Sequence, residues 1–156
     1  MVSPNLSGRQ NIVKITFRSI NSGQTLDECT IIQQPAIIDV DKEDFTLGWK
    51  AQEDEANTFK VTSNIQWRMT LKNEEDFEET TDKCDNLCGV IKEDFDMTDV
   101  PVSFRRTRNN LSLEDKVAEF KIEPVKLDKD GKEETLRSDV KSELTKTVRV
   151  SQDYLI

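Results

Sequence analysis

The residues of this chain best equipped to do chemistry are its carboxylates. Between Asn73 and Val100 stand eleven acidic residues against two basic ones, Lys83 and Lys92. Paired carboxylates can serve as acid and base on a glycosidic bond, but only where a cleft holds them a fixed distance apart. A charged run of this kind reads instead as solvated, mobile loop, which offers no such rigidity. Asp128-x-Asp130-Gly131, followed by Glu133 and Glu134, has the beginnings of a calcium loop. It lacks the third spaced ligand before the Gly and the closing bidentate Glu, so the reading is an Asp-Gly hairpin turn. Cys29, Cys84 and Cys88 are too few and too irregularly spaced for a disulfide framework. Cys84-x3-Cys88 lacks zinc-knuckle spacing, and no further Cys or His completes four ligands. The three are expected to be free thiols, with a Cys84–Cys88 disulfide as the alternative. The 156-residue chain has no His, which removes the commonest general base and the commonest metal ligand. No catalytic residue, metal site or cofactor is expected, and the chain does not read as an enzyme.

Binding residues are the next candidates. Trp67 is in phase with Ile65 and Met69 and reads as core. Trp49 is in phase with Phe45 and Leu47 but ends its run, so it is either a core-edge residue or an exposed platform on which a sugar ring could stack. Arg105, Arg106 and Arg108 form a small basic patch, read as offsetting the chain's own acidic stretch. The net charge is −9, which repels phosphate backbones and anionic lipid, so no nucleic acid is expected as a partner. No apolar run approaches the ~20 residues of a membrane span, and Met1–Gln10 has no apolar signal region. The chain is therefore either cytosolic or exported by a signal outside these residues.

The elements that must position these side chains are short strands. Thr58–Thr70 is the organising stretch, with two strands meeting at a tight turn, Ser63-Asn64. Phe59 and Val61 alternate with polar residues before it, and Ile65, Trp67, Met69 and Leu71 after it, giving each strand one apolar face. Val13, Ile15 and Phe17, then the strand Cys29–Gln33, read as a β-hairpin over 12–34, marginal on its own. Ile37–Val40, Phe45–Trp49, Val102–Phe104, Val117–Val125 and Thr145–Gln152 are further strands. Ser138–Lys146 reads as a short helix at most. Residues 73–100 are expected to form a mobile acidic insert, touching down at Val90-Ile91, because ordering them costs backbone entropy with little burial in return.

An internal repeat accompanies this pattern. VKITFRS, a turn, then CTIIQQPA parallels AEFKIEP, a longer loop, then KTVRVSQDY. Repeated units imply repeated structure, so residues 1–36 are expected to be a lead plus the terminal hairpin of a preceding repeat, and 37–156 one complete domain. About seven short strands point to an all-β sandwich.

The segments IIDVDKEDFTLGW, FKVTSNIQWRM and KTVRVSQD resemble the BACON domain family, with CTIIQQPA matching the same closing strand. The resemblance covers most of 37–156 and implies an immunoglobulin-like β-sandwich in tandem copies. It further implies export to the cell envelope or outside the cell, neighbouring domains within a larger Bacteroidetes surface protein, and a glycan as a possible ligand. The acidic insert departs from the family pattern. The expected function is a non-catalytic spacer or interaction module, the alternative being a carbohydrate-binding module using Trp49.

Overall fold

The computed structural model describes residues 4–81, 88–89 (backbone only) and 97–155. The chain divides into two compact units that part between Ala36 and Ile37. The first holds strands β1 (Asn11–Arg18) and β2 (Thr25–Gln33), an antiparallel pair running in register from Asn11 opposite Gln33 to Phe17 opposite Asp27. Alternation sorts the ribbon into two faces. Val13 with Ile31, Ile15 with Cys29, and Phe17 share one face. Lys14, Thr16, Glu28 and Thr30 share the other with the exposed pair Ile12 and Ile32, and Lys14 and Glu28 meet there at 3.1 Å. Cys29 is a free, exposed thiol. Cys84 and the side chain of Cys88 lie outside the described residues.

The second unit is an all-β sandwich. In chain order its elements are β3 (Ile38–Val40), β4 (Asp44–Leu47), β5 (Asn57–Ser63), β6 (Gln66–Lys72), β7 (Phe77–Glu79), β8 (Cys88–Gly89), β9 (Thr98–Arg106), β10 (Lys116–Leu127), β11 (Glu133–Glu134), α1 (Ser138–Leu144) and β12 (Lys146–Gln152). One sheet has the order β3-β5-β9-β7. The other has β4-β12-β10-β6-β8, with β11 flanking β10. The first strand is divided, β3 joining one sheet and β4 running parallel to β12 in the other. This is the strand order of an immunoglobulin-like sandwich, and Trp67, on β6, is buried where such sandwiches bury a Trp.

The core lies between the sheets. Phe59 and Phe104 from one meet Phe45 and Phe120 from the other, with ring centroids 5.0 Å apart for Phe104–Phe120 and 5.1 Å for the edge-on pair Phe45–Phe104. Val61, Val102, Ile122, Val148 and Val150 complete it and are fully buried.

The strands on either side of Ser63-Asn64 are not paired with each other. β5 bonds to β3 and β9, whereas β6 bonds to β10 and β8. The turn is a corner between sheets, so Phe59 and Val61 face Trp67 across the core. Asn64, only 5 % exposed, makes the corner: its Oδ1 accepts from Ile37 N at 2.8 Å and its own N donates to Ile37 O at 3.3 Å.

The stretch 73–81 corrects the expectation of a mobile insert. Asn73 takes a left-handed φ of 76°, which Asn tolerates better than most residues. It turns the chain back so that Phe77 is fully buried and β7 pairs with β9. The acidic residues here are spent on this docking: Glu78 stands directly opposite Arg105. Val90-Ile91 and the rest of 82–87 and 90–96 lie outside the described residues. β9 is longer than the predicted Val102–Phe104 because Pro101 is tolerated within it; β7 pairs only 104–106, so at Pro101 the ladder is with β5 alone.

The chain enters this unit at the Asn64 corner and leaves at the opposite pole. β3 and β4 both run toward that pole, and β12 runs parallel to β4 and ends at Gln152. A lock of buried polar groups closes the exit. Asn110, 2 % exposed, donates from Nδ2 to Glu114 O at 2.9 Å and Gln152 O at 3.1 Å, and accepts at Oδ1 from Ser112 N and Oγ. Gln152 donates from Nε2 to Trp49 O and Arg108 O, both at 3.0 Å.

Candidate functional site

Trp49 follows β4 and lies at the exit pole. Its carbonyl accepts from Asn110 N at 2.8 Å as well as from Gln152, so its backbone is held by the lock while its ring is half-buried. Trp49 is thus partly exposed at the end of its apolar run. Trp67 has no exposed surface and is unavailable to a ligand.

Near the same pole, an open groove runs between residues 51–53 and 105–109, with Glu78 on its wall; Trp49 does not line it. The arginines seen as a basic patch in the sequence gather here, each with carboxylate partners. Arg105 meets both oxygens of Glu78 at 3.1–3.3 Å. Arg108 reaches Glu75 at 2.8 Å and Asp76 at 2.9 Å. Arg106 pairs with Glu55, both side chains only 7 % exposed, and its backbone N also donates to Glu55 at 2.9 Å. Burial alone would raise the Glu55 carboxyl, but the hydrogen bonds and charge of Arg106 outweigh it and hold Glu55 below the ordinary Glu value. Asp76 behaves alike: desolvation opposes ionisation, and Asn73 and Arg108 more than offset it. These carboxylates are acceptors at neutral pH, and their charge is used to fasten β7 and the 51–55 loop to β9.

A second concavity, about 290 Å³, lies under the segment between β11 and α1, where that segment covers the outer face of β10 and β6. Arg68 pairs with Glu133, and Lys141 with Glu123 at 3.1 Å. Arg68 holds the Glu133 carboxyl below its usual range, which suits a hydrogen-bond acceptor and not a general acid. The cleft can present charged donors and acceptors to a polar ligand. Sequence reasoning missed it because its parts come from three distant segments; the signal was the polar excursion between β10 and β12, far longer than the turn between β1 and β2.

Asp128 makes the turn from β10 to β11. Its Oδ1 accepts from Asp130 N at 2.8 Å and Lys132 N at 2.9 Å, and Gly131 takes a φ of 79°. Among the described residues no group of three or more His, Cys, Asp or Glu could hold a metal ion, and no helix is long and apolar enough to cross a membrane.

Compared with known proteins, the chain matches no family model and no curated sequence.

Proposed function

We propose that this chain is a non-catalytic spacer or interaction module of a larger exported, surface-associated protein, a BACON-like sandwich set among neighbouring domains. The observation that carries the reading is the polarity of the sandwich: the chain enters at the Asn64 corner and leaves past Gln152 at the other pole. Sandwiches threaded in this way stack end to end, each passing the chain to the next. The ion pairs of both concavities also fit a structural role, since their acids and bases neutralise one another across element boundaries. Export follows from the resemblance to the family.

The test is to incubate the purified chain with a panel of polysaccharides and follow reducing ends. No turnover is expected. Turnover abolished by Glu123→Gln or Glu133→Gln would overturn the reading.

A second reading, a carbohydrate-binding module, is favoured by one observation, the partial exposure of Trp49 at the exit pole. Sugars stack on such rings when polar groups fix their orientation. It requires that acrylamide quench Trp49 more strongly than Trp67, and that retention on a glycan in affinity electrophoresis be lost in Trp49→Ala. Equal quenching of the two rings would remove the platform.

A further inference from the structure

The lock at the end of the sandwich occurs twice. In the first unit Asn5, 4 % exposed, donates from Nδ2 to Arg9 O at 2.6 Å and Gln33 O at 3.2 Å. Its Oδ1 accepts from Ser7 N at 3.0 Å and Ser7 Oγ at 2.6 Å, and Ala36 N closes onto Asn5 O at 2.7 Å. Asn110 does the same with Glu114, Gln152 and Ser112, and Leu155 N closes onto Asn110 O. Asn5-Leu6-Ser7 and Asn110-Leu111-Ser112 spell the same turn. Beyond it the ladders start alike, Asn11 opposite Gln33 and Lys116 opposite Gln152.

This shared register assigns each inward side chain of β1–β2 a counterpart. Val13, Ile15 and Phe17 stand where Ala118, Phe120 and Ile122 stand; Cys29 and Ile31 stand where Val148 and Val150 stand. The five counterparts are at most 1 % exposed. Val13, Ile15, Phe17 and Ile31 are 53, 39, 54 and 49 % exposed, and Cys29 is exposed with them. The opposite face carries Glu119, Lys121, Thr147 and Arg149 in the second ribbon, and Lys14, Thr16, Glu28 and Thr30 in the first, where the exposed pair Ile12 and Ile32 joins them. The hairpin thus carries the inner half of a sandwich core, the lock that closes it, and an apolar face that is exposed.

We propose that this face is the inner wall of a second sandwich. Its partner is a sheet of the same kind as β3-β5-β9-β7, presented by polypeptide that leads directly into Asn5 as residues 37–109 lead into Asn110. A second copy of this chain fits less well. Five side chains fall far short of the roughly 20–30 residues a side that stable interfaces use, and the sandwich of a second copy already holds its own β10 and β12. The inference rests on the spacer reading but is tested by thiol protection instead of glycan chemistry, so either can fail without the other.

The probe is alkylation of Cys29, followed by mass spectrometry of its peptide. In the intact chain Cys29 should react at the rate of a free thiol, and the chain should sediment as a monomer at micromolar concentration. Placing residues 37–109 directly ahead of Asn5 supplies the missing strands; Cys29 should then react about 100-fold more slowly, as expected of a group that reacts only through local opening. A second variant guards against failure of that fusion to fold. Ala118→Val, Phe120→Ile, Ile122→Phe, Val148→Cys and Val150→Ile together place the hairpin's inner set in the existing core. That variant should unfold cooperatively, with the thiol introduced by Val148→Cys protected. The proposal is overturned if neither variant protects its thiol. It is also overturned if Cys29 is already protected in the intact chain, whether in a monomer or in a dimer that Phe17→Glu dissociates.

Discussion

Single polar side chains do much of the positioning in this protein. Asn110 satisfies two backbone carbonyls and two donors of Ser112 from a site with almost no solvent. Removing it leaves Gln152 O and Glu114 O without that donor, and each buried unsatisfied group costs about 1–3 kcal/mol. Asn110→Ala should therefore lower the unfolding free energy of the sandwich by about 2–4 kcal/mol, read from the urea midpoint. Asn5→Ala should leave that midpoint unchanged, because its lock belongs to the other unit. The Arg106–Glu55 pair makes a pH-dependent contribution. Glu55 has a folded value below its unfolded one, so its stabilisation is complete above the ordinary Glu value of about 4.3 and is lost as pH falls through the lower folded value. Breaking a buried pair from one side costs about 3–5 kcal/mol. Glu55→Gln should lose most of that at pH 7 and show a shallower acid slope, so that the two proteins converge toward pH 2. Parallel curves at pH 7, 5 and 3 would show that Glu55 is not linked to folding.

Elements were legible wherever alternation ran unbroken and illegible where a single residue redirected the chain. Val13–Phe17, Phe59–Val61, Ala118–Ile122 and Val148–Val150 each show the period of two that gives a strand one apolar face, and the short helix and the Asp128 turn follow from local residues. Alternation cannot distinguish a hairpin from a corner, since both place apolar residues on facing strands. What makes Ser63-Asn64 a corner is the bond from Ile37 to the Asn64 side chain, a contact between distant residues. Phe77 was hidden among carboxylates; its burial depends on Asn73 turning left-handed and on Arg105 and Arg108 absorbing the charge. The Asn-Leu-Ser turns were spelled out twice in the sequence but carried no periodicity to single them out. Of the candidate site, Trp49 was legible as the end of an apolar run, whereas the cleft under α1 needed the fold to bring Arg68 to Glu133. At this scale the corner is the element to test. Asn64→Ala removes the acceptor of Ile37 N and should cost about 1–3 kcal/mol, with the β3 amides losing protection from hydrogen exchange before those of β9. Equal loss along β3 and β9 would mean that Asn64 supports the whole sandwich and not the attachment of its first strand.

Taken whole, the molecule joins a sandwich with a filled core to a ribbon with half of one. The sandwich draws its inner side chains from both sheets; Trp67 and the phenylalanines Phe59, Phe77, Phe104 and Phe120 are sealed, and Phe45 is 7 % exposed. None of those side chains comes from residues 4–36. The stability of the sandwich should therefore owe nothing to β1 and β2. A protein comprising residues 37–156 should unfold with a midpoint within about 2 °C of the full chain, because a shift of that size corresponds to well under 1 kcal/mol for a domain of this length. Solubility should change where stability does not. A ribbon exposing Val13, Ile15, Phe17 and Ile31 together, and pairing with no third strand among the described residues, is a template for pairing and association. The full chain should bind a hydrophobic dye and aggregate on warming at concentrations where residues 37–156 stay clear, and Phe17→Glu in the full chain should reproduce most of that difference. A truncated protein that melts several degrees lower would instead show that β1 and β2 stabilise the sandwich, and that the two units fold as one.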